Sequence, residues 1–349
     1  MFFASDNGGP AAPEVIAAIS RANQGAAMPY GADPIMDSVR KKIRELFEAP
    51  EAAVYLVATG TAANALALAS LVQPWQTIFC HRVAHIEEDE CGAPEFYTGG
   101  SKLTLLDGEN GKIDPEGLSN TIAYTGRAGV HNVQKGALSL TNATEAGTVY
   151  TVEEVTTLCN IAKKHDLPCH MDGARFANAL VRLGCTPAEL TWKAGIDVLC
   201  FGGTKNGLLG VEAVIWFNPK PVWEFELRRK RGGHLFSKHR FLSAQMDSYL
   251  TDDLWAELAR KANRAADRVA KGILQLPGAS LLHPVEANAI FARWPRKGHV
   301  KAQEAGAKYY HWPFDQPLVG PPDDSISARL VCNWATTDAE IDAFLRLIS

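Results

Sequence analysis

The 349-residue sequence lacks the features that mark several classes of protein. No stretch approaches the roughly 20 consecutive apolar residues that a membrane-spanning helix needs. Its lysines and arginines form no basic stripe and the net charge is −4, so nothing supports nucleic acid or a membrane as a partner. Internal repeats and low-complexity segments are absent too. The remaining composition, 46% hydrophobic and 21% charged residues, is typical of a soluble globular enzyme.

Cysteine is scarce and shows no pairing pattern. The seven cysteines include no Cys-x-x-Cys pair, and several lie in apolar runs where cysteine serves as a small core residue. The first ten residues lack the basic start of a secretion signal. These absences indicate a reducing compartment, and we expect a cytoplasmic protein.

The length exceeds the size at which a single core keeps growing, so we expect a large domain plus a smaller one. Strand-like runs alternate with helical ones, which predicts an α/β fold with a mostly parallel central sheet. We place the large domain, with an N-terminal arm, at residues 1–250 and a smaller C-terminal α+β domain at 251–349. A long helix over 254–274 is predicted to link them.

One lysine is placed unlike the others. An apolar run over 198–201 opens into Gly202-Gly203, and Lys205 follows with no other charge in the loop. A lysine at the end of a core strand loses hydration, its pKa can fall, and the neutral amine becomes a nucleophile toward carbonyls. We hypothesise that Lys205 forms an imine with pyridoxal phosphate; the alternative is that it caps a turn.

A carboxylate ends another apolar strand. Asp172 follows the mostly apolar run 167–171, and its burial is costly unless it meets a cation. The pyridinium nitrogen of pyridoxal phosphate is such a cation. Between Asp172 and Lys205 there is room for a helical region and one strand, so both residues fall at carboxyl ends of strands in one sheet. This pairing favours the cofactor hypothesis.

The turn Thr59-Gly60-Thr61 joins a predicted strand to an apolar helix over 62–72. Such a turn gathers free backbone N–H groups, a helix dipole and hydroxyls at one point, which suits a phosphate. An ordinary turn whose threonine caps the helix is the alternative.

Histidine and charge clusters add further candidates. His85 follows a strand-like run, where open α/β sheets bind ligands, and can stack on a ring or transfer protons unless its hydrogen bonds are only structural. The acidic run 87–90 is interpreted as a solvated helix start. The basic helix 224–231 and the following segment 232–240 form either a solvated face or an anion site.

Together these motifs resemble the low-specificity L-threonine aldolases, a family of fold type I pyridoxal-phosphate enzymes. The resemblance runs nearly end to end and implies an aspartate aminotransferase-like large domain, pyridoxal 5'-phosphate as the cofactor and no metal. It rests on residues 3–7, 30–34, 59–64, 85, 131, 138–142, 170–175, 204–205 and 328–331.

The resemblance implies a role for each matching residue. Lys205 would form the internal aldimine, Asp172 would pair with the pyridine nitrogen, and His85 would stack on the ring. The phosphate would be held by Gly60, Thr61 and Thr204. The substrate would be bound by Ser5, Tyr30, His131, Arg175 and Arg329, with Arg175 also beside the cofactor. The two arginines suit a planar carboxylate.

Two places depart from the family pattern. The family often has Ser-Lys-Gly around the lysine, whereas this chain has Thr204-Lys205-Asn206-Gly207. Threonine in place of serine keeps a hydroxyl before the lysine. The phosphate-binding arginine, usually offered by a neighbouring subunit, has no aligned match, and Lys230 and Arg240 are the candidates. The family also implies a homodimer or homotetramer with its active site at the subunit interface.

The implied reaction cleaves L-threonine, L-allo-threonine and related β-hydroxy-α-amino acids to glycine and an aldehyde, through a Lys205 aldimine and a glycine quinonoid. His85 and His131 are both candidates for proton transfer at the β-oxygen. The alternatives are a phenylserine-type aldolase, another β-eliminating lyase on the same fold, and a non-catalytic binding protein.

Overall fold

A seven-stranded sheet organises the computed structural model, which describes residues 1–349. Its strands are β1 (Ala53–Val57), β2 (Gln76–His81), β3 (Lys102–Leu106), β4 (Gln134–Thr141), β5 (Cys169–Gly173), β6 (Val198–Gly202) and β7 (Glu212–Trp216). They lie in the order β1-β7-β6-β5-β4-β2-β3. Strand β7 runs antiparallel to β1 and β6, and all other neighbouring strands of this sheet run parallel to each other. The prediction of an α/β fold with a mostly parallel sheet is confirmed.

Thirteen helices surround the two sheets of the molecule. They are α1 (Pro13–Ala22), α2 (Pro34–Leu46), α3 (Gly60–Ala69), α4 (His85–Glu88), α5 (Ala93–Thr98), α6 (Pro115–Tyr124), α7 (Val152–Lys163), α8 (Phe176–Leu183), α9 (Val222–Arg231), α10 (Arg240–Tyr249), α11 (Leu254–Ile273), α12 (Arg296–Glu304) and α13 (Asp338–Ile348). None of them combines the length and the apolar character needed to cross a membrane.

Alternate residues of the central strands enter two different cores. Leu199 and Phe201 of β6 pack with helices α1, α2, α7, α8 and α10, whereas Val198 and Cys200 pack with α3 and α9. Every residue of β5, β6 and β7 is buried. Strands covered on both faces need apolar side chains on both, which explains their continuous apolar runs in the sequence.

A second, antiparallel sheet lies toward the C-terminus. Its strands are β8 (Ser280–Leu281), β9 (Ala289–Pro295), β10 (Tyr310–His311) and β11 (Ser325–Val331), in the order β10-β11-β9-β8. Strand β10 is short: Pro313, which lacks an N–H donor, follows soon after it, and Lys308 before it pairs with Phe2.

Helix α11 joins the core that holds Phe201 to the core of the second sheet: its N-terminal half, from Leu254 to Ala259, belongs to the former and its C-terminal half, from Ala265 to Ile273, to the latter. The N-terminal residues also reach the second sheet. Phe3 is buried in its core, donates its N–H to the Lys308 carbonyl and accepts from the Val331 N–H. The first residues of the arm therefore pack with the C-terminal sheet, and the domain boundary at residue 250 stays a prediction.

Phe201→Ala tests the importance of the first core. The Phe201 ring is 1% exposed and lies 5.8 to 6.4 Å, between centroids, from the rings of Phe47, Tyr249 and Trp255. We expect the free energy of unfolding to fall by about 3–5 kcal/mol in denaturant titrations, because a large cavity remains. The control Phe96→Ala, at a site 78% exposed, should change the free energy of unfolding by less than about 0.5 kcal/mol. Equal losses from the two variants would contradict the placement of Phe201 in the core.

Candidate active site

Strands β5 and β6 end side by side and bring two charged residues to one edge of the sheet. Asp172 of β5 lies opposite Cys200 of β6, and β6 then leads through Gly202-Gly203 into a short 3-10 helix, Thr204–Asn206, that carries Lys205. A Cβ at Gly202 would lie 2.4 Å from the Ala174 carbonyl oxygen, so this close approach requires glycine. The structure therefore brings Asp172 and Lys205 together.

Asp172 is a buried, ionised carboxylate. Its Oδ1 accepts from the Ala174 N–H at 2.9 Å and its Oδ2 from Asn64 Nδ2 at 2.8 Å. Burial acts to raise the pKa of Asp172, but the charges of His85 and Lys205 and the Ala174 N–H outweigh it and lower that pKa. Carboxylate oxygens accept more than one donor each, so Asp172 can still receive a cationic N–H.

Lys205 is half-buried and free of ion pairs. The two ion pairs at this edge join Arg175 to Asp6 and His85 to Glu90 and leave Lys205 out. Groups whose ionisation responds to its charge include Asp6, His85, Asp172 and Glu212. An amine placed among such groups, without a fixed partner, is available to a ligand.

Glu212 lies behind the lysine and was missed from the sequence. It is buried on β7 and accepts the Gly203 N–H at 2.7 Å, which holds the loop before Lys205. Burial raises the pKa of Glu212 to about 7, against the effect of Thr204 and the Gly203 N–H. Its only signal in the sequence was a single glutamate in the apolar run 211–217.

The turn at the start of α3 has the features expected of a phosphate site. The hydroxyl of Thr59 accepts from the Ala62 N–H at 3.1 Å and caps the helix, while the N–H groups of Gly60 and Thr61 have no partner within the chain. A Cβ at Gly60 would meet no heavy atom within 4 Å, so open space lies beside it. The threonine cap is thus confirmed, and the phosphate site stays a prediction.

His85 begins α4 and is held by two glutamates. Its backbone N–H donates to Glu145 Oε1 at 2.7 Å, and its ring Nδ1 lies 3.0 Å from Glu90 Oε1. The interpretation of residues 87–90 as wholly solvated is wrong for Glu90, whose side chain is fully buried. The ring of His85 and the amide of Asn64 replace the water that Glu90 loses on burial.

Glu145 was also missed. It follows β4 and lies close enough to Asp172 and Arg175 to affect their ionisation. Burial, reinforced by the charge of Asp172, raises the pKa of Glu145 to about 7 in spite of the hydrogen bond from the His85 N–H. A carboxyl group that titrates near neutrality within a ligand site is a candidate for acid–base chemistry.

Arg175 forms a buried ion pair that the sequence did not predict. Its Nε and Nη2 donate to Asp6 Oδ2 and Oδ1 at 2.7 and 2.9 Å, and Asn288 Nδ2 donates to Oδ2 at 3.0 Å. Burial acts to raise the pKa of Asp6, but the guanidinium of Arg175 dominates and lowers it. Asp6 therefore holds Arg175 in place at the site.

Arg329 faces the same site from β11. Its guanidinium lies 5.3 Å from the centroids of Tyr310 and Trp312, and Nη2 donates to the Ala4 carbonyl at 3.4 Å. Burial and the nearby Arg175 lower the pKa of Arg329. Ser5 lies next to Ala4, and its hydroxyl accepts from the Asn7 N–H at 3.2 Å. Arg175 is paired with Asp6, whereas Arg329 forms no ion pair within the chain, so its positive charge is available to the carboxylate of a ligand.

Unpartnered polar atoms concentrate at this site. Nine buried side-chain nitrogen and oxygen atoms in the chain have no hydrogen-bond partner. Five of them belong to the site: Asn64 Oδ1, Glu90 Oε2, Glu145 Oε2, Asn288 Oδ1 and Arg329 Nε. Buried polar atoms are nearly always hydrogen-bonded, so this concentration indicates a place for a polar ligand.

His131 lies elsewhere in the chain. It ends an exposed 3-10 helix, Gly129–His131, immediately before β4. Because β4 runs parallel to β5, His131 is at the opposite edge of the sheet from Asp172. His131 does not reach the site within a single chain, and its role there stays a prediction.

Lys230, Arg240 and Tyr30 make other contacts. Lys230 Nζ lies 4.8 Å from the centroid of the exposed Tyr30 ring, and Arg240 Nη1 donates to the Gly25 carbonyl at 2.8 Å. No hydrogen bond or ion pair joins either cation to the turn at Gly60, and a contribution from a neighbouring subunit stays a prediction.

Comparison with known proteins agrees with this geometry. A family model described as beta-eliminating lyase matches residues 3–294. The low specificity L-threonine aldolase of Pseudomonas sp. is 41% identical over 97% of this chain and 94% of its own. A threonine aldolase structure from Leishmania major superposes with a TM-score of 0.90, covering 99% and 98% of the two chains at 26% identity.

More distant structures share the fold alone. Serine palmitoyltransferase from Sphingomonas wittichii matches with a TM-score of 0.71 at 14% identity, over 100% of this chain and 86% of its own. The fold is thus that of the fold type I pyridoxal-phosphate enzymes, as predicted.

Asp6→Asn tests the buried ion pair with Arg175. Removing one partner leaves a buried charge uncompensated, so we expect the free energy of unfolding at pH 7 to fall by about 3–5 kcal/mol. Because folding lowers the pKa of Asp6, its stabilisation is complete above the unfolded pKa and is lost as pH falls through the native one. Denaturant titrations from pH 7 to pH 3 should show this acid dependence in the wild type and less of it in the variant.

The control is Asp37→Asn, which removes an ion pair with Arg40 whose aspartate side chain is 75% exposed. Its effect should stay within about 1 kcal/mol. A loss from Asp6→Asn no larger than this would contradict the structural role of the pair.

Proposed function

Because the chain belongs to the beta-eliminating lyase family and, within it, to the low specificity L-threonine aldolases, we propose that it is an aldehyde-lyase acting on L-threonine and L-allo-threonine. The products would be glycine and acetaldehyde, and related β-hydroxy-α-amino acids would react alike. The observation that carries the proposal is the placement of Lys205 and Asp172 at adjacent strand ends beside two arginines.

The residues present fit pyridoxal 5'-phosphate. Lys205 supplies a free amine for its aldehyde, and the buried carboxylate of Asp172 supplies the partner for its ring nitrogen. The N–H groups at Gly60 and Thr61 and the hydroxyl of Thr204 would hold the phosphate. Several of the unpartnered atoms are hydrogen-bond acceptors and donors suited to such a polar group. When bound, the cofactor serves as an electron sink for the bond that breaks at Cα.

The chain's own residues determine how a substrate is held. Arg175, fixed by Asp6, and Arg329, fixed by two aromatic rings, can bind the α-carboxylate with planar donor groups. Ser5 adds a hydroxyl next to the same arm. Fixing the carboxylate fixes the orientation of the Cα–Cβ bond, which turns a bimolecular encounter into a preorganised reaction.

Proton transfer at the β-oxygen needs a base near the site. Of the two histidines, His85 is the candidate within one chain, since His131 lies at the opposite edge of the sheet, and Glu145 is the nearby carboxyl group. Burial by the protein around Lys205 excludes part of the water, which strengthens each charge interaction there.

The second candidate is a β-eliminating lyase, which the description of the matching family model favours. It would share Lys205 and Asp172 but would release ammonia and a keto acid. A phenylserine-type aldolase would differ only in preferring aryl side chains. We infer a cytoplasmic homodimer or homotetramer with the active site at the subunit interface, on the basis of the sequence and its family.

Incubation with L-threonine, L-allo-threonine and phenylserine should release glycine and the matching aldehyde in a one-to-one ratio. Chromatography of the glycine and an enzyme-coupled assay of the aldehyde measure this ratio. Ammonia with 2-oxobutyrate from threonine would favour the β-eliminating lyase instead.

Lys205→Ala should abolish aldehyde release and the visible absorbance that pyridoxal phosphate gives when linked to the protein, because no other amine occupies this position. Lys271→Ala, at an exposed site on α11, is the matched control and should keep both. Turnover of Lys205→Ala at the wild-type rate would rule out its role.

Arg329→Gln should weaken recognition of the substrate carboxylate. Loss of a hydrogen bond to a charged group costs about 1.5–3 kcal/mol, so kcat/KM for L-threonine should fall about 10- to 100-fold, mainly through KM. The control Arg293→Gln, exposed on the neighbouring strand β9, should leave kcat/KM unchanged. Equal kinetics for the two variants would exclude Arg329 from the substrate site.

A further inference from the structure

His85 is one of four polar side chains that are joined by a continuous chain of hydrogen bonds. The amide of Asn64 donates one N–H to Asp172 Oδ2 at 2.8 Å and the other to Glu90 Oε1 at 2.9 Å. Glu90 Oε1 also meets His85 Nδ1 at 3.0 Å. This network joins the carboxylate expected to meet the cofactor ring to the histidine expected to stack on it.

The donors and acceptors in this network leave a single assignment for His85. Asp172 and Glu90 offer oxygens, so the amide of Asn64 must direct its nitrogen toward both. With Glu90 as a carboxylate, Oε1 is an acceptor toward His85 as well, and Nδ1 must carry the hydrogen. In the neutral imidazole Nε2 is consequently unprotonated, whereas an unconstrained histidine can carry its proton on either nitrogen.

We propose that Glu90 is a positioning residue, which keeps the proton of neutral His85 on Nδ1 and so makes Nε2 the acceptor of the substrate's β-hydroxyl proton. This inference rests on the proposed aldolase function. The proton passes from the β-oxygen to Nε2, directly or through water, as the Cα–Cβ bond breaks and the aldehyde forms. The resulting imidazolium is stabilised by the carboxylate of Glu90.

Charges around His85 are consistent with this role. The hydrogen bond from Glu90 raises the pKa of His85, burial opposes it, and Asp172 and Lys205 act in opposite directions. The remaining charged neighbour is Glu145, whose Oε1 accepts the backbone N–H of His85. Glu90 itself is buried, Asn64 donates to the same oxygen and the second oxygen is unpartnered, so His85 is the only ionisable side chain hydrogen-bonded to Glu90.

The protonated nitrogen can be observed directly. Long-range ¹H–¹⁵N spectra of the whole protein, labelled in histidine and recorded with and without pyridoxal phosphate, report which ring nitrogen carries the proton. Loss of one signal in His85→Gln identifies His85. At pH values above its titration we expect the Nδ1-protonated pattern in the wild type; an Nε2-protonated pattern there would overturn the proposal whatever the variants do.

Two substitutions separate the charge of Glu90 from its hydrogen bond. Glu90→Gln can keep an acceptor oxygen but loses the charge, so the pKa of His85 should fall and the acidic limb of the kcat profile should move to lower pH. Glu90→Ala removes both, so His85 should shift to the Nε2-protonated form and kcat should fall about 100-fold, with KM little changed. Wild-type kcat and an unchanged nitrogen pattern in Glu90→Ala would overturn the proposal.

The matched control is Glu88→Gln, which removes an exposed carboxylate from the same short helix. It should leave the nitrogen pattern, the pH profile and kcat unchanged; effects equal to those of Glu90→Gln would mean that the field of the whole helix, and not Glu90, acts on His85. Failure of the wild type to release aldehyde would refute the aldolase function, whereas the spectra decide on Glu90 independently of turnover.

Discussion

The structure depends on a carboxylate buried at the end of a central strand. Removing an aspartate such as Asp172 from water costs several kcal/mol unless hydrogen bonds and cations replace its hydration. Here the helix residue Asn64 and the Ala174 N–H donate hydrogen bonds to it, and the basic side chains of His85 and Lys205 lie close enough to lower its pKa. Three features bring these groups together: the neighbouring positions of β5 and β6, the close approach of Gly202 to Ala174, and the placement of α3, which carries Asn64.

Sequence patterns predicted the elements of this arrangement where a local signal was strong. An aspartate and a lysine that each end an apolar run stand out, because buried strands seldom admit charge, and the order of strands then places them on one edge. The turn Thr59-Gly60-Thr61 before α3 was predicted because it joins a strand-like run to an apolar helix. Fold class and family followed from these few positions.

The partners of those residues were less predictable, since burial depends on contacts far away in the chain. Glu90 closes a run of four acidic residues and only folding separates it from its three exposed neighbours. Asp6 meets Arg175 across 169 positions of sequence. His131 matched a family pattern, yet its position before β4 puts it at the other edge of the sheet. Local sequence specifies which strands form, whereas pairing of buried charges is settled by topology.

The central claim is that Lys205 is the covalent anchor of a cofactor whose ring meets Asp172. Reduction with borohydride in the presence of pyridoxal phosphate, followed by peptide mapping with mass spectrometry, tests it most directly. We expect the pyridoxyl group on the peptide containing Lys205, and on no other lysine in stoichiometric amount. Its appearance on a different lysine, or the absence of any modified peptide, would contradict the account.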